Sequence, residues 1–117
     1  MKNSSDLIND AFEANGIHLV CLQDDEVIGT GRLNIENRTS IISQMAIKSV
    51  YQKQGVGAKV LNELIKFSKE KELNIVKLNA RETALAFYKK FNFVVVGDKY
   101  PSKKTGVIHQ EMALKIE

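Results

Sequence analysis

Residues 51–58 read YQKQGVGA, with Gln52, Lys53 and Gln54 set beside Gly55 and Gly57, two of only seven glycines in the chain. The preceding run, SIISQMAI (40–47), is apolar enough for a strand. From Gly55 onward, Val56, Val60, Leu61, Leu64, Ile65 and Ser68 recur at helical spacing, with Lys59, Glu63, Lys66 and Glu70 on the opposite face. The stretch is therefore a strand-to-helix corner. Such a corner presents unpaired backbone N–H groups that, with the helix dipole, favour a phosphate. Glycine lets a ligand approach the backbone because no Cβ intervenes, and Gln52, Lys53 and Lys59 add donors or positive charge. On these residues alone a structural turn in which Gly55 merely starts the helix is the alternative. GxxxxGK[ST] and GxGxxG are both absent, which excludes a nucleoside-triphosphate loop and a dinucleotide fingerprint.

Outward from the corner the chain alternates simple elements. DLINDAFEAN has Leu7, Ile8, Ala11 and Phe12 at helical spacing before Gly16, which predicts a helix over 5–15. IHLVCLQ, VIGTGRLNIE and SIISQMAI read as three strands joined by the polar turns DDE and NRT, an antiparallel meander. After the corner helix come a strand (IVKLNA), a helix (RETALAFYKKFNF, with Ala84, Phe87, Tyr88 and Phe91 in phase), a strand (VVVGDKY) and a basic loop (PSKKTG). GVIHQEMALKI closes the chain as a strand with Ile108, Met112, Leu114 and Ile116 on one face and His109 on the other. The order is α-βββ-α-β-α-ββ. It implies an α+β sandwich: a mixed, mostly antiparallel sheet of about six strands flanked by three helices.

At 117 residues the chain is read as a single domain over 1–117. A chain this size buries roughly two-thirds of its unfolded surface, enough for one core. Its apolar (44%) and charged (26%) fractions are ordinary for a soluble globular protein, and no apolar run is long enough for a membrane helix. The N-terminus carries acids and no apolar h-region, so it does not read as a secretory signal. Cys21 has no internal partner, which fits a reducing cytoplasm, and lies in an apolar run as a small hydrophobe. His18 and His109 lack ligand-like spacing with it, so no metal is expected. Residues 48–104 hold thirteen Lys and Arg against five acids, whereas residues 1–47 hold three bases and seven acids. The basic segment suits an anionic partner or is a set of solvated helix faces. Basic–aromatic interleaving is missing, which argues against nucleic acid.

Gln52-Lys53-Gln54-Gly55-Val56-Gly57 matches Q/R-x-x-G-x-G/A, and in this respect the chain resembles the GNAT superfamily of acyl-CoA-dependent N-acetyltransferases. SQMAI is similar to the family strand that precedes that loop. LNARETALAFYKKFNF resembles its second signature, and Val107-Ile108-His109-Gln110-Glu111-Met112 an ending seen in small bacterial members. The likeness runs from about Ile17 to Ile116. It implies acetyl-CoA as co-substrate, no metal, and direct transfer of acetyl to a primary amine of a small molecule or peptide. The strand carrying Met45, Ala46 and Ile47 would splay from the one carrying Asn79, and backbone groups at Met45 and Ile47 would pair with the pantetheine arm. Backbone N–H groups of Gln54, Gly55, Val56, Gly57 and Ala58 would take the pyrophosphate with Gln52 and Lys53 around it, and Ala84, Phe87 and Tyr88 would flank the cofactor. Tyr88 aligns with the family tyrosine that hydrogen-bonds or protonates the leaving thiolate.

A lysine-like amine, with a pKa of roughly 10.4, must lose a proton near neutral pH. His109 is the candidate base because an imidazole changes charge in that range; a packing histidine, Glu111 and a water chain remain open. Arg32 and Gln44 either line an acceptor pocket or are solvated strand residues. Three departures stand out. The opening strand and first helix of a typical member look reduced to the helix over 5–15, which implies a shallower acceptor cleft or one completed by a second subunit in a homodimer. Asn92 replaces a glycine but tolerates positive φ. Arg81 replaces an asparagine that contacts the cofactor arm. The alternative to an enzyme is a non-catalytic acyl-CoA-binding module.

Overall fold

The structure, a computed structural model, describes residues 6–13, 16–52 and 54–116. Seven strands form one sheet: β1 (Asp6–Glu13), β2 (Gly16–Gln23), β3 (Glu26–Glu36), β4 (Thr39–Ile47), β5 (Ile75–Arg81), β6 (Val94–Pro101) and β7 (Ile108–Lys115). The helices are α1 (Val56–Glu70) and α2 (Leu85–Lys89). Spatial order is β1-β2-β3-β4-β5-β7-β6, with β4–β5 the parallel pair and every other neighbouring pair antiparallel. The mixed α+β sheet, antiparallel in front with one strand–helix–strand crossover, is the architecture the element order implied.

Two details correct that order. Among the described residues there are seven strands and two α-helices, against about six and three expected, and the segment read as a helix over 5–15 contains β1. Strand β1 pairs with β2, its register shifting between Asn9 and Ala11. Leu7 and Phe12 stand five positions apart, an odd spacing that an unbroken strand would place out of phase. The shift at Asp10 restores the phase, so they stand opposite Cys21 and Ile17. A helix-like spacing was thus produced by a strand with an irregularity. Strand β1 ends at Glu13 and β2 begins at Gly16, and Ala14 and Asn15 lie outside the described residues.

Both meander turns are two-residue hairpins with positive φ at each central residue, Asp24 (51°) with Asp25 (67°) and Asn37 (48°) with Arg38 (63°), matching the twist of the flanking strands. Arg38 is an uncommon left-handed residue held from both sides. Its guanidinium donates to the Glu72 carbonyl at 2.8 Å, and its own carbonyl accepts from the Asn74 N–H at 2.8 Å.

The sheet is covered on one face. Helix α1 buries Val56, Val60, Leu61, Leu64, Ile65, Phe67 and Ser68. It seats against β3, where a Cβ on Gly31 would stand only 2.6 Å from the Val60 Cγ1 atom. The strand's glycines therefore set how closely the helix can lie. Ile17, Leu19, Cys21, Leu33, Val76, Leu78, Ala80 and Met112 join this core from the sheet. Ser40 and Ser68, both fully buried, tie β4 to α1 by a 2.6 Å hydrogen bond, and the Ser68 hydroxyl donates onward to the Leu64 carbonyl at 2.9 Å. Helix α1 closes through Glu72 at φ 59°, with the Leu73 N–H donating to the Ser68 carbonyl.

The segment expected to be helical over 81–93 instead runs as a 3-10 turn at Glu82–Ala84 followed by the short α2. Asn92 sits at φ 72°, the conformation for which it was expected to stand in for glycine. The opposite face of the sheet, bearing His18, Arg32, Gln44, Asn79, Arg81, His109 and Glu111 by strand alternation, has no helix over it among the described residues.

Candidate active site

Strands β4 and β5 pair along only part of their length. Thr39, Ser40, Ile41 and Ile42 run beside Ile75, Val76, Lys77 and Leu78, and there the pairing stops. At that point β4 carries an extra residue: Leu33 pairs with Ile42 and Arg32 with Gln44, leaving Ser43 between them. Beyond Ser43, β4 stays with β3 through Ile47, while Asn79, Ala80 and Arg81 stay with β7. The strands thus part into a gap whose walls are two sheet edges, each with backbone donors and acceptors free of a neighbouring strand. Met45 and Ile47 are half-buried against the core, whereas Ala46 and Asn79 are exposed on the uncovered face.

The corner lies directly after the end of β4. A 3-10 turn at Ser49–Tyr51 leads into Gln52, whose side-chain amide donates to the Ile47 carbonyl at 3.3 Å. The Gln54 amide donates to the Val50 carbonyl at 3.0 Å. Both glutamines thus brace the loop itself. Lys53, expected beside them, lies outside the described residues. Gly55 precedes the helix at φ 84°, with no atom within 4 Å of where a Cβ would stand. It is required for its conformation, since a left-handed residue with a Cβ costs roughly 1–2 kcal/mol. No side chain caps α1 and its first turn holds no acid, so the N–H groups of Val56, Gly57 and Ala58 have no intrahelical acceptor. Lys59 follows on the first turn, half-buried.

A Cβ on Gly57 would stand 3.5 Å from the Phe87 ring and 3.7 Å from the Ile47 side chain. The start of α1, the end of β4 and α2 therefore converge. Phe87 meets Tyr88 edge-on, ring centres 5.0 Å apart, and Tyr88 meets Phe93 at 5.8 Å. Tyr88 is 9% exposed, and burial pushes its phenol pKa above the ordinary tyrosine value, so the hydroxyl keeps its proton through the neutral range. Ala84, half-buried, ends the 3-10 turn just ahead of it.

His109 is on the other side of the sheet. It pairs with Arg81 on β5 and Tyr100 on β6, and its ring stacks on Tyr100 with centres 6.1 Å apart. Its Nδ1–H donates to the Val107 carbonyl at 2.9 Å, because a carbonyl can only accept; that leaves Nε2 as the nitrogen able to take a proton. Glu111, the other base considered, is engaged by Lys77 at 3.8 Å. Tyr88 and His109 therefore face opposite sides of the sheet.

Sequence reasoning missed the extra residue at Ser43 and the service of Gln110, which is buried and donates to the Gly97 carbonyl at 2.8 Å to hold β6 where it bulges from β7. Neither leaves a sequence signal, since a bulge is defined by its partner strand. Arg32 and Gln44 face each other in register, and the Arg32 guanidinium donates to the His18 Nδ1 atom at 3.5 Å.

The family model of the acetyltransferase (GNAT) domain matches residues 3–116. The Bacillus subtilis protein YyaT is 26% identical over 107 residues, which is 92% of this chain and 71% of that one. Among solved structures, the ribosomal-protein-S18-alanine N-acetyltransferase of Escherichia coli superposes with a TM-score of 0.79 at 20% identity, over 91% of this chain and 72% of that one. A Bacillus anthracis protein described as a candidate streptothricin acetyltransferase, solved in complex with acetyl coenzyme A, gives 0.77 at 20% identity over 90% and 66%. With the parted strands and the glycine corner in place, the match across nearly the whole chain places this protein in the GNAT acetyltransferase family.

Proposed function

We propose that the chain moves an acetyl group from acetyl-CoA directly to a primary amine. The observation that carries this reading is the parting of β4 from β5 at Ser43, directly ahead of an uncapped helix start. A gap walled by two free sheet edges accepts an extended chain with amides as if it were another strand, and pantetheine is such a chain. The free N–H groups of Val56, Gly57 and Ala58 suit its pyrophosphate. Holding the thioester still in the gap lowers the entropic part of the barrier. The amine attacks the carbonyl carbon from the uncovered face, giving up a proton to His109 Nε2 or to a water chain. The carbon–sulfur bond breaks, and the leaving sulfur takes the proton that burial keeps on Tyr88. Acid and base face opposite sides of the sheet, as a reaction running through the gap requires.

A second reading, an acyl-CoA-binding module without turnover, is favoured by the absence of a helix over the acceptor side among the described residues. A second copy seated there would supply the missing wall, and sedimentation with acetyl-CoA present tests for it. Calorimetric titration with acetyl-CoA, followed by thiol release with an amine panel, separates the readings. Binding with turnover supports the enzyme, and binding without turnover the module. No binding at millimolar ligand removes both.

A further inference from the structure

The uncovered face around the gap has a one-sided charge. Its walls there are Gln44 and Ala46 on β4 and Asn79 and Arg81 on β5. Behind the first wall stands Arg32, donating to His18. Behind the second stand His109 and Glu111. Pro101 pairs with Ile108 and His109 with Arg81, so the loop carrying Lys103 and Lys104 rises at the same end of β5 as Arg81, and both lysines are exposed. The nearby carboxylates are already engaged: Glu111 by Lys77 at 3.8 Å and Glu82 by Lys99 at 2.6 Å. Asp98 lies in the β6 bulge, and Asp24 and Asp25 sit in the β2–β3 turn on the far side of β3. Arg81 is exposed at the lip of the gap, and none of the carboxylates that form ion pairs beside the gap is bonded to it.

Such a rim repels an acceptor that carries only positive charge, a diamine or a lysine in a basic peptide. It attracts an acceptor that carries an acid, and a guanidinium fork matches a carboxylate with two parallel hydrogen bonds. The same cations favour the neutral amine, because nearby like charge disfavours the ammonium form. The reactive nucleophile and the acid that anchors it thus call for the same electrostatics. Resting on the acetyltransferase reading, we propose that the acceptor is a small amine bearing a carboxylate, with Arg81 binding the acid and Lys103 and Lys104 drawing it in.

The test measures kcat/KM by thiol release for matched pairs, an amino acid against its own amide, together with 1,4-diaminobutane, in the unmodified chain and in Arg81→Gln and Arg81→Lys. The expected result is a preference for the acid of about tenfold or more over its amide, and more over the diamine. In Arg81→Gln the acid-to-amide ratio falls toward one, and Arg81→Lys restores part of it. Turnover that favours amides or diamines, or a ratio that survives Arg81→Gln, overturns this proposal and leaves acetyl transfer standing. Acetyl-CoA binding with no thiol release from any amine overturns both.

Discussion

Strands β4 and β5 behave as two different objects along one length. From Thr39 to Ile42 and Ile75 to Leu78 they form an ordinary parallel pair over a sealed core, with Ile42, Val76 and Leu78 buried and Ser40 bonded to Ser68. From Ser43 and Asn79 onward the same strands diverge, and Gln44, Ala46, Asn79 and Arg81 are exposed. The difference teaches that stability and ligand capacity are divided along the strands: the paired half satisfies its own backbone, and the parted half leaves that backbone for something else. Substitutions in one half should therefore move melting temperature, and substitutions in the other should move affinity or turnover.

The most severe way to break this division is to delete Ser43. Without the extra residue, Gln44–Ile47 slip by one position and exchange faces, taking Met45 and Ile47 off the core. Acetyl-CoA binding should vanish at millimolar ligand in calorimetry, and retained affinity would mean that the bulge does not build the gap. Gly57→Glu comes next. Its Cβ would start 3.5 Å from Phe87, leaving the carboxylate crowded at the uncapped helix start. Affinity should fall by about a hundredfold, roughly 2.7 kcal/mol.

Tyr88→Phe, on α2 beside the parted half, separates chemistry from binding. Turnover should drop by roughly 10²-fold while the acetyl-CoA Kd stays put. Burial raises the phenol pKa, so the native state holds this proton more tightly than the unfolded chain does. The resulting stability is complete below the ordinary tyrosine value of roughly 10 and lost as pH rises through the native one. Alkaline destabilisation above that pH should accordingly be weaker in Tyr88→Phe, as measured by urea melts across the range. The mildest test sits in the paired half. Ser68→Ala leaves the buried Ser40 hydroxyl without its partner and should cost about 1–3 kcal/mol, with acetyl-CoA affinity unchanged. Ser40→Ala combined with Ser68→Ala should cost less than Ser68→Ala alone, because no buried hydroxyl is then orphaned.

How far each feature could be read from the sequence follows from how local its cause is. Helix α1 and its buried stripe were legible because a 3.6-residue repeat of large apolar side chains has one good solution in water. The DDE and NRT turns were legible because Asp and Asn accept the positive φ that a two-residue hairpin needs. Strand β1 was misread because a register shift at Asp10 turned strand alternation into helical spacing. Tyr88 and His109 were picked out as residue types at motif positions, but their placement on opposite sides of the sheet depends on which face each strand turns to the helices.

By itself the sequence determined the glycine corner, the α1 stripe, the meander turns and the family likeness, since each depends on residues within one or two turns of one another. Only the tertiary structure decided that β4 leaves β5 at Ser43, that no described helix covers the face behind the gap, and that Arg81 stands beside His109 at its lip. Those features arise from pairing between separate strands, Arg32 with Gln44, Ile42 with Leu78 and Arg81 with His109. The register that creates them is a property of two strands together, written in neither one alone.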